Sequence, residues 1–389
     1  MHEMAAALTK SEGLLLGEIG AVLIGLGIAA LFASRIKFSA VPIFLAAGLF
    51  FGKGGVFSLS LSDDFLSIGA QIGAILLLLL LGLEYSSQEL FHSMKERSSI
   101  GFFDIVLNFL PGFVAALLLR WGLVGALVLG GITYVSSSGI ASEFIRDGSL
   151  QPFSSTKRAI SVLVLEDIFL AIYLPIISAV IASVSLVTGL ISTGVALSIT
   201  GLALILGAKG VRVRHSPIIF GDTATLLLTV FGAALLASGL ATYVGFSGAV
   251  AAFLVGLLLT GDIAVVARVR LAPLRDLFAA IFFLFFGLQT DPKSIPPILI
   301  PALLLAIAGL ITKYLTAWWA TADLDEPDSR FRVTALLTSR GEFSILIAGF
   351  ASSQVFGEEL QALTITFVIA TVFLSAIMMR ILKQRIAHK

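Results

Sequence analysis

The chain contains no cysteine and few charged side chains. Without cysteine it can form no disulfide, thiol nucleophile or cysteine-ligated metal site. Charged residues account for only 13% of its 389 residues, whereas soluble proteins carry about 25%. Hydrophobic residues account for 58%, and the mean hydropathy is +1.05. This composition predicts a polytopic membrane protein with no room for a soluble domain of ordinary size.

Catalytic and nucleic-acid motifs are also missing. The four histidines lie at the termini or in predicted loops: His2, His92, His215 and His388. They form no metal-ligand spacing such as HExxH, and no histidine lies in a predicted span to act as a base for Ser137. We therefore expect neither an enzyme nor a resident metal or cofactor. The formal net charge of +1 gives no indication of nucleic-acid binding.

Long apolar runs dominate the chain and predict an all-α fold that crosses the lipid bilayer many times. Hydropathy gives thirteen candidate transmembrane helices. They lie near residues 13–33, 38–52, 67–86, 99–119, 122–147, 158–183, 186–208, 222–243, 247–261, 273–289, 295–319, 331–353 and 361–381.

Lysine and arginine predict how these helices are oriented. With the N-terminus outside, nineteen of the 25 basic residues fall in cytoplasmic loops or near a cytoplasmic C-terminus. The exceptions are four outside residues and two within spans: Lys10, Lys53, Arg120, Lys293, Lys313 and Arg340. Because basic residues are enriched on the cytoplasmic side, this asymmetry predicts an outside N-terminus, a cytoplasmic C-terminus and an odd number of spans.

Two stretches of the chain recur at an offset of 205 residues. Residues 81–85 (LGLEY) correspond to residues 286–290 (FGLQT), and residues 134–139 (YVSSSG) correspond to residues 339–344 (SRGEFS). The second pair interrupts otherwise apolar helices with small or polar residues. Because the third and tenth spans differ by an odd number, the two copies have opposite orientations. The pattern predicts inverted repeats with two crossed discontinuous helices, as in secondary transporters.

Two adjacent carboxylates, Glu166 and Asp167, lie near the middle of the apolar run from residue 159 to residue 182. A carboxylate at the bilayer centre costs roughly 2.5–3.5 kcal/mol, and adjacent acids repel each other. We interpret the pair as a cation or proton site. The alternative is a polar pair that only packs against neighbouring helices.

Hydroxyl and ammonium groups accompany this pair. Ser136, Ser137 and Ser138 interrupt the fifth span, and oxygens in such a break can coordinate a small cation. Alternatively, these serines only bond back to carbonyls one turn earlier. Lys313 lies in the middle of the eleventh span and needs an anionic partner, so we expect it to pair with the two carboxylates and compensate their charge. The alternative is a static ion pair between two helices.

Four further polar side chains lie within spans. Arg340 and Glu342 flank Gly341 in the second helix break, where we expect them to neutralise each other or the opposing half-helix ends as structural braces. Asp104 and Asn108 are four residues apart and therefore share one helix face. We expect this face to point into the bundle, and whether it contacts the ion is left open.

Taken together, these residues resemble the monovalent cation:proton antiporter-2 family, and within it the Kef-type and Kht-type potassium/proton antiporters. The resemblance covers almost the whole chain and rests on residues 82–84, 136–138, 165–170, 286–288, Lys313 and 340–343. It implies a sodium/proton-antiporter-like fold in the bacterial inner membrane that exchanges K⁺ or Na⁺ for protons. It further implies that Asp167 is the exchanging carboxylate and that Lys313 pairs near the site.

The resemblance also implies how the helices work together. It implies a homodimer in which core helices near residues 67–147 and 273–353 move against scaffold helices. The scaffold would comprise residues near 13–52 and 186–261, with a linker helix near residues 158–183. Preference for K⁺ over Na⁺ rests on this resemblance alone.

Three departures from the Kef pattern bear on coupling and regulation. Glu166 stands where Kef proteins carry glutamine, so one more titratable group is present and the coupling stoichiometry stays open. Residues 264–276 do not show the acidic loop of glutathione-gated members, so we expect no glutathione gating. No nucleotide-binding domain follows the last span, which leaves a separate cytoplasmic regulatory subunit or a shortened chain as alternatives.

Other functions fit less of the pattern. A sodium-coupled symporter of an organic anion would need a second polar pocket, and the sequence shows one acidic centre. A cation channel would pass ions without proton coupling. A membrane enzyme would need a nucleophile and base, which the predicted spans do not contain.

Overall fold

The computed structural model describes residues 2–36, 38–52, 55, 63–84, 87–182, 198, 223–243, 247–259 and 261–387. Within these ranges the fold is helical and contains no strand. The helices are α1 (His2–Arg35), α2 (Ala40–Phe51), α3 (Asp63–Glu84), α4 (Ser87–Leu118), α5 (Gly122–Tyr134), α6 (Ser138–Asp147), α7 (Ser154–Ala182), α8 (Thr223–Tyr243), α9 (Gly248–Leu258), α10 (Asp262–Gln289), α11 (Ile295–Ala320), α12 (Ser329–Leu337), α13 (Glu342–Phe350) and α14 (Gly357–Ala387).

Twelve of the thirteen predicted spans coincide with these helices. Ten described segments are long and apolar enough to cross a membrane, and α2 and α9 are shorter apolar helices. The predicted span near residues 186–208 lies outside the described residues, so the count of thirteen stays a prediction. Several helices are longer than their apolar runs, because backbone hydrogen bonds continue a helix into polar sequence. One example is α4, which begins at Ser87 rather than near residue 99.

The predicted helix interruptions are present in both repeats. Residues 135–137 separate α5 from α6, and residues 338–341 separate α12 from α13. In the first break Val135 and Ser137 are extended, and the Ser137 hydroxyl caps α6 by accepting a hydrogen bond from the backbone N–H of Ile140 (3.3 Å). Serine hydroxyls that bond the backbone locally compete with helix continuation.

Helix packing divides the described chain into two groups. One group, here called the site bundle, comprises α4–α7 and α11–α14, in which both interrupted helices lie. The other, the flanking bundle, comprises α1–α3 and α8–α10, in which α3 and α10 pack most extensively on each other and on α9 and α2. This grouping places α3 and α10 away from the interrupted helices and α7 among them. It therefore differs from the core, scaffold and linker assignment, and which group moves stays a prediction.

Two close contacts between glycines of neighbouring helices stabilise the flanking bundle. The internal repeat of the chain relates one contact to the other. Gly82 of α3 lies against Gly256 of α9, and Gly287 of α10 lies against Gly48 of α2. A Cβ added at Gly82 would be 3.0 Å from the Gly256 Cα, and one added at Gly287 would be 2.9 Å from the Gly48 Cα. Small residues let helix backbones approach closely within a membrane. The LGLEY and FGLQT stretches therefore match because they form equivalent helix contacts.

We predict that Gly287→Val destabilises the protein by about 1–3 kcal/mol, the usual cost of forcing extra methyl groups into a packed contact. Thermal unfolding of purified protein in detergent measures the effect. Gly27→Val is the matched control, because a Cβ at Gly27 would have no atom within 4 Å. Equal stability of the two variants would contradict the importance of this contact.

Candidate functional site

The two helix breaks contact each other inside the site bundle. The backbone N–H of Ser137 donates to the carbonyl oxygen of Ser339 (2.8 Å), and the Ser136 hydroxyl donates to the carbonyl of Leu337 (2.8 Å). A Cβ at Gly341 would lie 2.6 Å from the Ser137 hydroxyl oxygen. The close approach of the two breaks therefore requires glycine at that position.

Arg340 braces the carboxyl ends of two half-helices. Its side chain is fully buried and donates from Nε to the carbonyl of Thr133 (2.9 Å), near the end of α5. Its Nη1 donates to the carbonyls of Leu337 (2.9 Å) and Thr338 (3.0 Å), at the end of α12. Helix carboxyl ends carry partial negative charge and unpaired carbonyls. One guanidinium thus compensates two helix ends that terminate inside the membrane.

Carboxylates lie at the opposite, amino-terminal ends of the half-helices. Glu166 of α7 accepts from the backbone N–H (2.5 Å) and hydroxyl (2.9 Å) of Ser136, just before α6. Glu342 lies in the first turn of α13 and accepts from the Ser137 hydroxyl (3.0 Å). Negative charge stabilises a helix amino end. The described contacts therefore direct Arg340 and Glu342 toward opposing helix ends rather than toward each other.

Lys313 joins two carboxylates from different helices. Its Nζ donates to Glu166 Oε1 (2.7 Å) and to both oxygens of Asp104 (2.9 and 3.2 Å). All three side chains are at most 1% exposed. The predicted partner Glu166 is present, and Asp104, which the sequence did not indicate as a partner, is the second carboxylate bound to Lys313. Asp167 is also buried and follows Glu166 in α7.

A hydrogen-bond network fixes Asp104 between α4 and α11. Asp104 Oδ1 accepts from the Asn108 amide (2.8 Å) and from the Thr316 hydroxyl (2.8 Å), in addition to Lys313. Asn108 Oδ1 in turn accepts from the Thr312 hydroxyl (2.8 Å). The face shared by Asp104 and Asn108 therefore points into the bundle, as its spacing predicts. Donors on α4 and α11 therefore fix the position of the Asp104 carboxyl group.

Buried charges in this cluster do not balance. Three buried carboxylates, Asp104, Glu166 and Asp167, accompany two buried cations, Lys313 and Arg340. With every group ionised, the cluster carries one excess negative charge in a medium where an isolated charge costs several kcal/mol. Binding one monovalent cation or one proton would offset the excess charge of these fully buried groups.

Some polar side chains of the cluster escaped sequence analysis. Thr312 and Thr316 bond Asn108 and Asp104, and their four-residue spacing matches the spacing on α4. Comparing polar faces between predicted spans would have found them. Tyr134 lies with its ring 5.6 Å from Lys313 Nζ. Its buried hydroxyl has no hydrogen-bond partner in the described structure. In the sequence, its position next to a helix break was the feature that could have indicated its place in the cluster.

This fold and site define a class of protein. Inverted repeats, crossed broken helices and a buried cluster of ionisable groups are the features of a secondary transporter. Over residues 20–383 the chain matches the family described as sodium/hydrogen exchanger, transmembrane. The chain belongs to this family of cation/proton antiporters. Its members are transporters, not enzymes, and the cations that they move are substrates rather than cofactors.

Known relatives cover most of the chain. It is 28% identical over 344 residues to the K⁺/H⁺ antiporter subunit KhtU of Bacillus subtilis, an alignment that covers 85% of this chain and 84% of KhtU. It is 29% identical over 378 residues to the ammonium/H⁺ antiporter subunit AmhT of Alkalihalophilus pseudofirmus, covering 92% of this chain and 91% of AmhT.

A solved structure shows a similar fold. The sodium/proton antiporter MjNhaP1 of Methanocaldococcus jannaschii at pH 8 superposes with a TM-score of 0.67 at 19% identity. The match covers 94% of this chain and 95% of that one. The predicted sodium/proton-antiporter-like fold is therefore confirmed.

We predict that Lys313→Met strongly destabilises the protein, by about 3–5 kcal/mol, because it leaves two buried carboxylates without their cation. Adding Asp104→Asn to Lys313→Met should recover part of the loss, since one uncompensated charge is removed. Thermal unfolding in detergent compares the two variants. Lys293→Met, at an exposed position, is the control. A single variant as stable as the control would contradict this account of the cluster.

Proposed function

We propose that this protein exchanges a monovalent cation, K⁺ or Na⁺, for protons at the buried cluster around Asp167 and Glu166. The observation that carries this proposal is the burial of three carboxylates and two cationic side chains where the two broken helices meet. Competition for a single site then couples the two fluxes. A protonated carboxylic acid holds no cation, and a carboxylate that holds a cation resists protonation.

Each neighbouring group has a role in this cycle. Asp167 is the main exchanging carboxylate, and Glu166 assists it while sharing Lys313 with Asp104. Ser136, Ser137 and Ser138 supply oxygen ligands from the helix break. When the cation is absent, Lys313 compensates the charge of Glu166. When the cation binds, Lys313 retains its bonds to Asp104.

Alternating access requires one group of helices to move against the other. We propose that the site bundle moves as a unit against the flanking bundle, because the interrupted helices and α7 pack together in it. This replaces the division that the sequence resemblance implies. We further propose a homodimer in the bacterial inner membrane, with the N-terminus outside and the C-terminus in the cytoplasm, as the distribution of basic residues favours.

The proposal also concerns which cation is transported. KhtU is named for K⁺ and AmhT for ammonium, yet the chain is almost equally similar to both. K⁺ is our first candidate, Na⁺ and ammonium are the competitors, and potassium-dependent proton flux is the deciding measurement. Because both relatives are named as subunits, we also propose a separate cytoplasmic regulatory partner.

We predict that Asp167→Asn abolishes cation-dependent proton flux, because an amide cannot exchange a proton for a cation. The assay uses proteoliposomes with an internal pH dye, to which K⁺, Na⁺ or choline is added. Ammonium is tested separately as a competitor of K⁺, since ammonia itself crosses lipid. Asp325→Asn removes an exposed carboxylate and serves as the matched control.

The result of this flux assay distinguishes a different exchanging residue, a channel and a symporter. Flux that survives in Asp167→Asn would move the exchanging group to Glu166, where Glu166→Gln is the next variant. Cation flux without proton movement in a folded wild-type protein would indicate a channel. Proton-independent uptake of an organic anion with Na⁺ would indicate a symporter.

A further inference from the structure

Tyr134 ends α5 directly before the first helix break, and its side chain is completely buried. Its hydroxyl group has no hydrogen-bond partner in the described structure. A buried polar group that stays unpaired costs free energy, and phenylalanine would fill almost the same volume without this cost. The hydroxyl group of Tyr134 therefore requires an explanation beyond packing.

A second tyrosine in the same aromatic cluster shows how such a hydroxyl group is satisfied. Tyr173 and Tyr134 both pack against Phe169, with ring centroids 5.4 and 4.8 Å from its ring. The Tyr173 hydroxyl donates a hydrogen bond to the carbonyl oxygen of Leu127 (2.9 Å). Tyr134 shares the ring contact but makes no such bond, so the aromatic cluster alone does not account for its hydroxyl group.

Unpaired buried side-chain atoms are concentrated where the two helix breaks meet. Five such atoms occur among the described residues, and three of them are the hydroxyl oxygens of Tyr134 and Ser339 and the Nη2 atom of Arg340. The other two belong to Thr156 and Arg332, near the beginnings of α7 and α12. The meeting point of the breaks thus contains polar atoms that the described protein does not satisfy.

The charged cluster surrounds the Tyr134 side chain. Its ring lies 5.6 Å from Lys313 Nζ, within the range of a cation–π contact. Its hydroxyl group is close enough to Asp104, Glu166 and Asp167 to interact electrostatically with all three carboxylates. A cation held by these carboxylates would therefore lie near the phenol oxygen.

A phenol oxygen has the chemistry that this position needs. K⁺ channels hold their ion with neutral oxygens that replace its hydration shell. A hydroxyl oxygen provides such a ligand without adding a charge that must be balanced once the ion has left. The cationic groups of Lys313 and of Arg340, which also lies near the hydroxyl group, are outnumbered by the three carboxylates, so the surroundings favour a cation.

We propose that Tyr134 belongs to the exchange site and that its hydroxyl oxygen is a neutral ligand of the bound monovalent cation. This inference rests on the proposed antiport function. In the cation-bound protein the phenol oxygen takes the place of one water of the ion's hydration shell. The hydroxyl group then gains the partner that the rest of the described chain does not give it.

Tyr134→Phe tests this role, because it removes the hydroxyl group and keeps the ring that contacts Lys313. In proteoliposomes, the concentration of K⁺ or Na⁺ that gives half-maximal proton flux should rise roughly three- to tenfold, the usual effect of losing one polar contact. The unfolding temperature of the purified variant in choline chloride should be unchanged or higher, because an unpaired polar group has been removed.

Tyr173→Phe is the matched control, because it removes a tyrosine hydroxyl group from the same aromatic cluster. This variant loses the hydrogen bond to Leu127. We therefore expect a lower unfolding temperature and an unchanged half-saturating cation concentration. The two variants differ in both measurements, although each loses one oxygen atom.

Cation binding is also measured without transport. An ion that binds only the native state raises its unfolding temperature. Replacing choline chloride by KCl or NaCl at constant ionic strength should raise the unfolding temperature of the wild-type protein. The rise should be smaller in Tyr134→Phe and equal to the wild-type rise in Tyr173→Phe.

A half-saturating concentration in Tyr134→Phe that equals the wild-type value would overturn the ligand role, as would an equal rise in unfolding temperature. Lower stability of Tyr134→Phe with unchanged cation dependence would show that its hydroxyl group is only structural. A wild-type protein without cation-dependent proton flux would overturn the antiport proposal instead. The cation-dependent unfolding temperatures would then still decide whether the Tyr134 hydroxyl group binds a cation.

Discussion

Helix ends inside a membrane are the constraint on which the rest of this structure depends. Two helices stop near the bilayer centre, where neither water nor lipid can satisfy their backbone groups. Arg340 bonds the carboxyl ends of α5 and α12, while Glu166 and Glu342 lie at the amino ends of α6 and α13. A buried carboxylate that braces a helix end needs a cationic partner in turn. Lys313 is this partner for Glu166, and it also bonds Asp104.

Internal duplication explains the architecture but not the chemistry. Both copies retain glycine at the helix contact and an interruption in the second span after it, because these features determine how the backbones cross. The ionisable groups are not duplicated, since Asp167 and Lys313 each occur in one copy only. A symmetric framework therefore holds an asymmetric set of charges.

Much of this framework could be predicted from the sequence, because it depends on local signals. Hydropathy located twelve helical spans, and small or polar residues that recur at an offset of 205 residues located both breaks. The pairing of Lys313 with Glu166 followed from the cost of an unpaired ammonium in lipid. Asp104 was not recognised as the second partner, because hydropathy carries no information on which helices are neighbours. The grouping of α3 and α10 with α2 and α9 was missed for the same reason, since it depends on glycine contacts between distant segments.

Lys313 bonds two carboxylates, and this arrangement bears on the leakage of ions through the protein. Asp104 receives bonds from Asn108 and Thr316 as well as from Lys313. The lysine is therefore tethered to α4 even when Glu166 is occupied by another partner. In the proposed exchange, the ammonium group of Lys313 would stay beside the site and would repel a second cation that follows the first. The contact that stabilises the fold would then also oppose uncoupled flow of ions.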